Sequence, residues 1–245
     1  MRWGRLTTTN HRGATVPRVL GLALAAAAAA STALVAALRV VGAAGWGTLA
    51  GCLLVFAAGL VDDLTPAGPR GLRNHLRSLA AGRMTTGILK LLVTTGAAAV
   101  VVALQPPRVG YARLSGIVLL AAGANVWNGL DVRPGRALKA FVVPALVFLG
   151  WGELADAPAI AGLLAVALAV LPVDLREAAM LGDGGANLLG FAAGLALFDV
   201  LPAEWTPVAA ASAVGLNVIA ETMSFSRIIE AAPPLRFLDG LGRRA

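Results

Sequence analysis

Apolar residues run along this chain in long blocks, separated by short polar stretches that collect the charges. No charged residue occurs over the 20 positions from Val19 to Leu38, or over the 22 positions from Val40 to Val61. About 20 apolar residues in a helix cross the ~30 Å hydrocarbon core of a bilayer. Followed to the end, the charge-free runs predict eight helices at about 19–41, 44–61, 85–104, 112–128, 137–151, 157–173, 185–201 and 206–229. Turn-forming residues separate them: Gly42 to Gly47, Gln105-Pro106-Pro107, Asp131 to Gly135, Asp156 to Pro158 and Leu201-Pro202. No repeat of fixed period and no separate soluble domain is visible. The expectation is one membrane-embedded domain over 1–245, with a basic segment 1–18 and a tail 230–245. Its fold class is an all-α polytopic bundle with a cleft on the cytoplasmic face.

Composition strengthens the membrane reading. The chain is 58% hydrophobic and 13% charged, whereas soluble domains are about one-quarter charged. The apolar content excludes intrinsic disorder. The single cysteine, Cys52, lies in an apolar run without polar neighbours and reads as packing rather than as disulfide or redox chemistry. The first 18 residues lack the apolar core and cleavage site of a secretory signal.

The net charge of +7 would suit nucleic acid in a soluble protein, but in a membrane protein Lys and Arg collect in cytoplasmic loops. No nucleic-acid partner is therefore expected. Arginine outnumbers lysine 18 to 2, a bias typical of GC-rich bacterial coding. With the N-terminus in the cytoplasm, the eight-helix map puts 17 of 20 basic residues inside and leaves Arg39, Arg108 and Arg113 outside. The expected location is the bacterial plasma membrane, with both termini cytoplasmic.

The acids locate the chemistry. Glu153, Asp156, Asp199 and Glu204 fall in outer loops, while the inner side holds Asp62, Asp63, Asp131, Asp174, Glu177, Asp183, Glu230 and Asp239. Gly59-Leu60-Val61-Asp62-Asp63 closes an apolar helix with two adjacent carboxylates, whose repulsion a divalent cation such as magnesium would relieve. Met180 to Asn187 places Asp183 among glycines at a helix start, where free amides favour phosphate. Asn125, Asn128 and Asp131 recur every three residues and suit sugar hydroxyls, a nucleobase edge or interhelical hydrogen bonds. The stretch LRNHLRSLAAGRMTTGILK brings His75 and Lys90 to the same side. Lys90 either snorkels or counters a phosphate. Asn217, Glu221 and Ser224 form a polar stripe on the last run.

These motifs, in this order, resemble the polyprenyl-phosphate N-acetylhexosamine 1-phosphate transferases, a family that includes phospho-N-acetylmuramoyl-pentapeptide transferase. Asn10-His11-Arg12-Gly13, Val16-Pro17 and Gly21 look like the family's first cytoplasmic loop. Gly59 to Asp63 looks like its aspartate pair, and Thr85-Thr86-Gly87 with Lys90 like its threonine-glycine-lysine element. Asn125 to Asp131 resembles its asparagine motif, Met180 to Gly190 its glycine-aspartate signature, and Ala220 to Ser224 its late helix. The chain departs from the pattern at Ala186, where serine is frequent, and at Val132-Arg133-Pro134-Gly135 after Asp131. It departs again after Arg227, where IIEAAPPLRFLDGLGRRA stands in place of a histidine-rich loop.

The resemblance implies transfer of a phospho-sugar from a UDP-sugar to a polyprenyl phosphate, releasing UMP with Mg²⁺ as cofactor. Asp62, Asp63 and Asp183 would be catalytic, with Asp183 and Asp62 on the metal. His75, Lys90, Asn125, Asn128, Asp131 and Asn187 would bind substrate. Asp174 and Glu177, on the same face outside any motif, would tolerate substitution. The expected partners are the lipid phosphate, the UDP-sugar and the membrane, with a homodimer as a further possibility. The alternative is a shortened, non-catalytic relative that acts as a membrane assembly partner.

Overall fold

A computed structural model describes residues 6–65, 68, 72–151 and 157–243. Arg2, Arg5, Arg70 and Arg244 of the inner basic count, and Glu153 and Asp156 of the outer acids, lie outside these residues. The described residues are 78% helical. A hairpin of β1 (Thr7–Thr9) and β2 (Thr15–Pro17) comes first, Thr7 opposite Pro17. The helices are α1 (Leu20–Leu38), α2 (Ala43–Leu64), α3 (Leu72–Ala80), α4 (Thr86–Leu104), α5 (Gly110–Leu130) and α6 (Arg136–Trp151), followed by α7 (Pro158–Leu175), α8 (Gly182–Val200), α9 (Thr206–Thr222), α10 (Phe225–Ala231) and α11 (Pro233–Gly240).

Four of these, α1, α2, α4 and α7, are long and apolar enough to cross a membrane. A fifth crossing results if α9 and α10 count as one broken span, bent by 101°. The other long runs fall short for identifiable reasons. α6 has 16 residues and α9 has 17, which at 1.5 Å per residue is about 25 Å. α8 is diluted by five glycines, Asp183, Asn187 and Asp199. The 206–229 run is not one helix: Ser224 accepts from the Arg227 amide at 3.4 Å and caps a new helix in a new direction.

α8 is the central post. Fifteen of its 19 residues are buried, and it packs against α1, α2, α5 and α6. Its approach to α5 is close because glycines face each other: a Cβ on Gly123 would lie 2.9 Å from the Gly190 carbonyl oxygen. Its own Phe191 and Phe198 are fully buried, as is Phe141 of α6, and Cys52 is wholly enclosed in the same core.

The hairpin was not anticipated within 1–18, nor was α11 within the tail. Asn10 shapes the hairpin turn, its Oδ1 accepting from the amides of Arg12 at 3.0 Å and Ala14 at 2.8 Å. The end of β2 then joins the approach to α8: the Met180 amide donates to Pro17 O at 2.9 Å, and the Leu20 amide to Met180 O at 3.2 Å. That bridge sets Arg18 beside the start of α8.

Candidate active site

Asp62 and Asp63 sit on the last turn of α2. Successive residues on a helix point about 100° apart, and this separates the two carboxylates into different environments. Asp62 accepts from Lys90 Nζ on α4 at 2.9 Å, and the same Nζ donates to Asp183 Oδ2 on α8 at 2.7 Å. Asn128, on α5, donates its amide to that Asp183 oxygen at 3.3 Å. Four helices thus deliver one cation, two carboxylates and an amide to one point. The Lys90 side chain is 14% exposed, those of Asp62 and Asp183 24% and 32%. The lysine has closed on the carboxylates instead of extending to an interface.

Asp63 faces the other way. Its Oδ1 accepts from Arg18 Nη1 at 2.7 Å and from the Asp183 amide at 3.1 Å, while Oδ2 accepts from the Gly184 amide at 3.2 Å. Arg18 Nη2 also donates to the Asp63 carbonyl at 2.9 Å. A carboxylate at a helix N-terminus satisfies amides that have no partner within the helix and complements the dipole. Two of the amides expected to be open to phosphate are therefore taken by Asp63. Gly182, at φ +72°, makes the left-handed turn into α8, and a Cβ there would meet Asp63 Oδ2 at 2.7 Å.

The remaining four expected residues, His75, Asn125, Asn187 and Asp131, go to separate places. His75, on α3, bonds through Nδ1 to Thr85 Oγ1 at 2.9 Å and lies against Gly87, where a Cβ would be 2.5 Å from the ring. Thr85 in turn caps α4 by accepting from the Ile88 amide, so His75 braces the turn that carries Lys90. Asn125 is exposed and donates to Asn217 Oδ1 on α9 at 2.6 Å, the interhelical alternative for that motif. Asn187, one turn beyond Asp183, is buried, and its Nδ2 has no hydrogen-bond partner.

Asp131 caps α5, lies beside Gly182 and Asp183 at the start of α8, and lines a small cavity with Asn10, His11, Asp174 and Glu177. Asp174 is buried and accepts from the Gly135 amide at 2.7 Å. Glu177, at φ +57°, accepts from Asn10 Nδ2 at 2.5 Å and pairs with Arg12 at 3.1 Å. Burial and the nearby arginines hold His11 below its ordinary pKa despite Glu177 at 3.7 Å. Neither Asp174 nor Glu177 is idle: one fixes the 133–135 turn and the other holds the hairpin down.

Sequence reasoning did not single out Arg18 or the tail cluster. Arg136 donates to both oxygens of Asp239, at 2.8 and 2.9 Å, and Arg243 joins them. Lys139 Nζ caps α11 by donating to the carbonyls of Leu238 at 2.8 Å and Asp239 at 2.7 Å. Burial alone would raise the Asp239 carboxyl, but hydrogen bonds from the two guanidinium groups outweigh it and hold the group below its ordinary value. The available signal was a charged residue at either edge of an apolar run, at Arg18 before α1 and Arg136 at the start of α6.

Among the described residues, no group of three or more His, Cys, Asp or Glu side chains is placed to enclose a metal ion. Asp62 and Asp183 supply two hard carboxylates aimed at one point. Magnesium takes one or two such ligands from a protein and completes its shell with water and phosphate oxygens, so the donor set fits. No family model matches the chain, and no curated protein or solved structure is significantly similar to it.

Proposed function

We propose that this chain is a transferase of the bacterial plasma membrane that moves a phospho-sugar from a UDP-N-acetylhexosamine to a polyprenyl phosphate, releasing UMP. Eight helices cross the bilayer, both termini lie in the cytoplasm, and the site opens on that side. The observation that carries this reading is the meeting of Asp62, Lys90, Asp183 and Asn128 from four helices at one end of an apolar bundle. Such a site meets a lipid-borne phosphate and a soluble nucleotide together.

Asp183 and Asp62 would hold Mg²⁺, which when bound offsets charge on the diphosphate and the leaving UMP. Lys90 would neutralise phosphate oxygens, and Asn128 orients Asp183. The attacking lipid phosphate, with a second pKa near 6, needs orientation more than a strong base. Asp63 accordingly takes a positioning part in place of the catalytic one. Asn187, with its spare amide, is the nearest further donor along α8.

The assay is UMP release by purified protein supplied with undecaprenyl phosphate, Mg²⁺ and a panel of UDP-sugars. Asp183→Asn keeps shape and removes charge, and turnover should fall at least about a hundredfold, the scale of losing one electrostatic stabiliser. The alternative, a non-catalytic assembly partner, draws on Lys90 already bridging both carboxylates. A folded protein that releases no UMP with any sugar would overturn the transferase reading and favour that alternative.

A further inference from the structure

The lysine occupies the very point at which the two carboxylates converge. Its Nζ lies 2.9 Å from Asp62 and 2.7 Å from Asp183, and its side chain is 14% exposed. Asp63, the third carboxylate nearby, is committed to Arg18 and the α8 amides and cannot share the load. The cluster of Asp62, Asp183 and Lys90 therefore carries one net negative charge. Without the ammonium it would carry two, held together by rigid helices and partly withdrawn from water. Such a pair demands a cation.

We infer that Lys90 is a tethered stand-in for the divalent cation. It holds the Asp62–Asp183 gap closed while the site is empty and is displaced when a divalent ion enters. The inference rests on the proposed metal-dependent transfer and adds a competition that the reading does not require. An ammonium and a divalent ion cannot both lie within bonding distance of the same two oxygens without strong repulsion. Once released, the lysine is free on its four-carbon stem, about one turn from the Thr85 cap of α4. There it can meet the phosphate that arrives with the metal. At each stage a cation lies against the pair, leaving one net negative charge with the ammonium and none with the divalent ion, so neither carboxylate stands bare.

The chain makes this testable without any variant, because it has only two lysines, Lys90 and Lys139. Lys139 is engaged by carbonyls of the tail and serves as an internal reference. Wild-type protein in nanodiscs is treated briefly with formaldehyde and cyanoborohydride, with and without saturating Mg²⁺, at matched ionic strength. Methylation at each lysine is then read by mass spectrometry. Dimethylation of Lys90 should rise at least about threefold with Mg²⁺, and that of Lys139 should not change. An unchanged or reduced rate at Lys90 would overturn the inference.

Lys90→Met supplies the converse arm, read by Mn²⁺ binding followed by electron paramagnetic resonance. The variant should bind Mn²⁺ at least about tenfold more tightly than wild type. Equal or weaker binding refutes the competition. Lys90 exposure by Mg²⁺ in a preparation that releases no UMP would remove the transferase reading and leave the cation exchange standing; UMP release with no change at Lys90 would do the reverse.

Discussion

Asp63→Asn separates a positioning carboxylate from a catalytic one. The Asp63 side chain is 3% exposed and that of Arg18 22%. Oδ1 serves Arg18 and the Asp183 amide, and Oδ2 serves the Gly184 amide. Asparagine offers one oxygen and one NH₂, so in either orientation a donor faces a donor and Arg18 loses its anion. Removing one partner of a buried ion pair costs about 3–5 kcal/mol, and a stranded buried amide about 1–3 kcal/mol. Because the α8 end can relax slightly, about 3 kcal/mol is the working figure. At about 2–4 °C per kcal/mol for a chain of this size, unfolding should move down by about 6–12 °C. The assay is thermal unfolding in nanodiscs followed by tryptophan fluorescence at one fixed scan rate, since such transitions are seldom reversible. Asp183→Asn is the comparison and should melt within about 2 °C of wild type, because Lys90 keeps Asp62. An Asp63→Asn protein that melts with wild type would show that the α8 amides do not depend on this carboxylate.

Gly59→Ala tests how closely α2 and α8 meet. The new Cβ would lie 2.6 Å from the Asp183 carbonyl oxygen and the Gly184 Cα. The helices must part by about 1 Å at a cost of about 1–3 kcal/mol, and UMP release should drop about a hundredfold; unchanged release would refute it. Asp239→Asn tests the tail cluster against pH. The Asp239 carboxyl is held below its ordinary value, so its contribution is present above about pH 4 and lost as pH falls through the folded-state pKa. Melting temperatures of wild type and variant should differ at pH 7 and converge below about pH 4, and a constant gap would exclude Asp239 as the titrating group.

The helices were legible because charge-free runs are long and the bilayer sets their length; α1, α2, α4 and α7 fall within a few residues of their expected bounds. Less legible were elements whose amphipathic pattern is short. α3 and α11 have nine and eight residues, too few for periodicity to stand out between polar loops. At the site, residue types on helix ends gave Asp62, Lys90, Asn128 and Asp183, which do meet. Partner choice was not legible: nothing local to Asp62-Asp63 says which carboxylate turns to Lys90 and which to Arg18, because helix phase and the Pro17–Met180 bridge decide it. Asn125 shows the limit from the other side. It shares a three-residue spacing with Asn128, yet it turns outward to Asn217, since three residues advance a helix by about 300° and leave the two side chains about 60° apart around the axis.

The burial of α8 has a consequence for how lipid reaches this chemistry. Enclosed by its neighbours, α8 has almost no surface that hydrocarbon can touch, so bilayer thickness exerts no direct force on Asp183. α4 differs: a third of its span is buried, while Leu89, Leu91, Leu92 and Val100 are exposed. A helix in contact with acyl chains tilts or slides to match their thickness, at fractions of a kcal/mol per Å. Under the proposed membrane placement, the bond from Lys90 to Asp183 joins a helix with exposed apolar side chains to one enclosed by its neighbours. Under that placement, the 2.7 Å contact is where a change in the surrounding lipid would become a change in geometry.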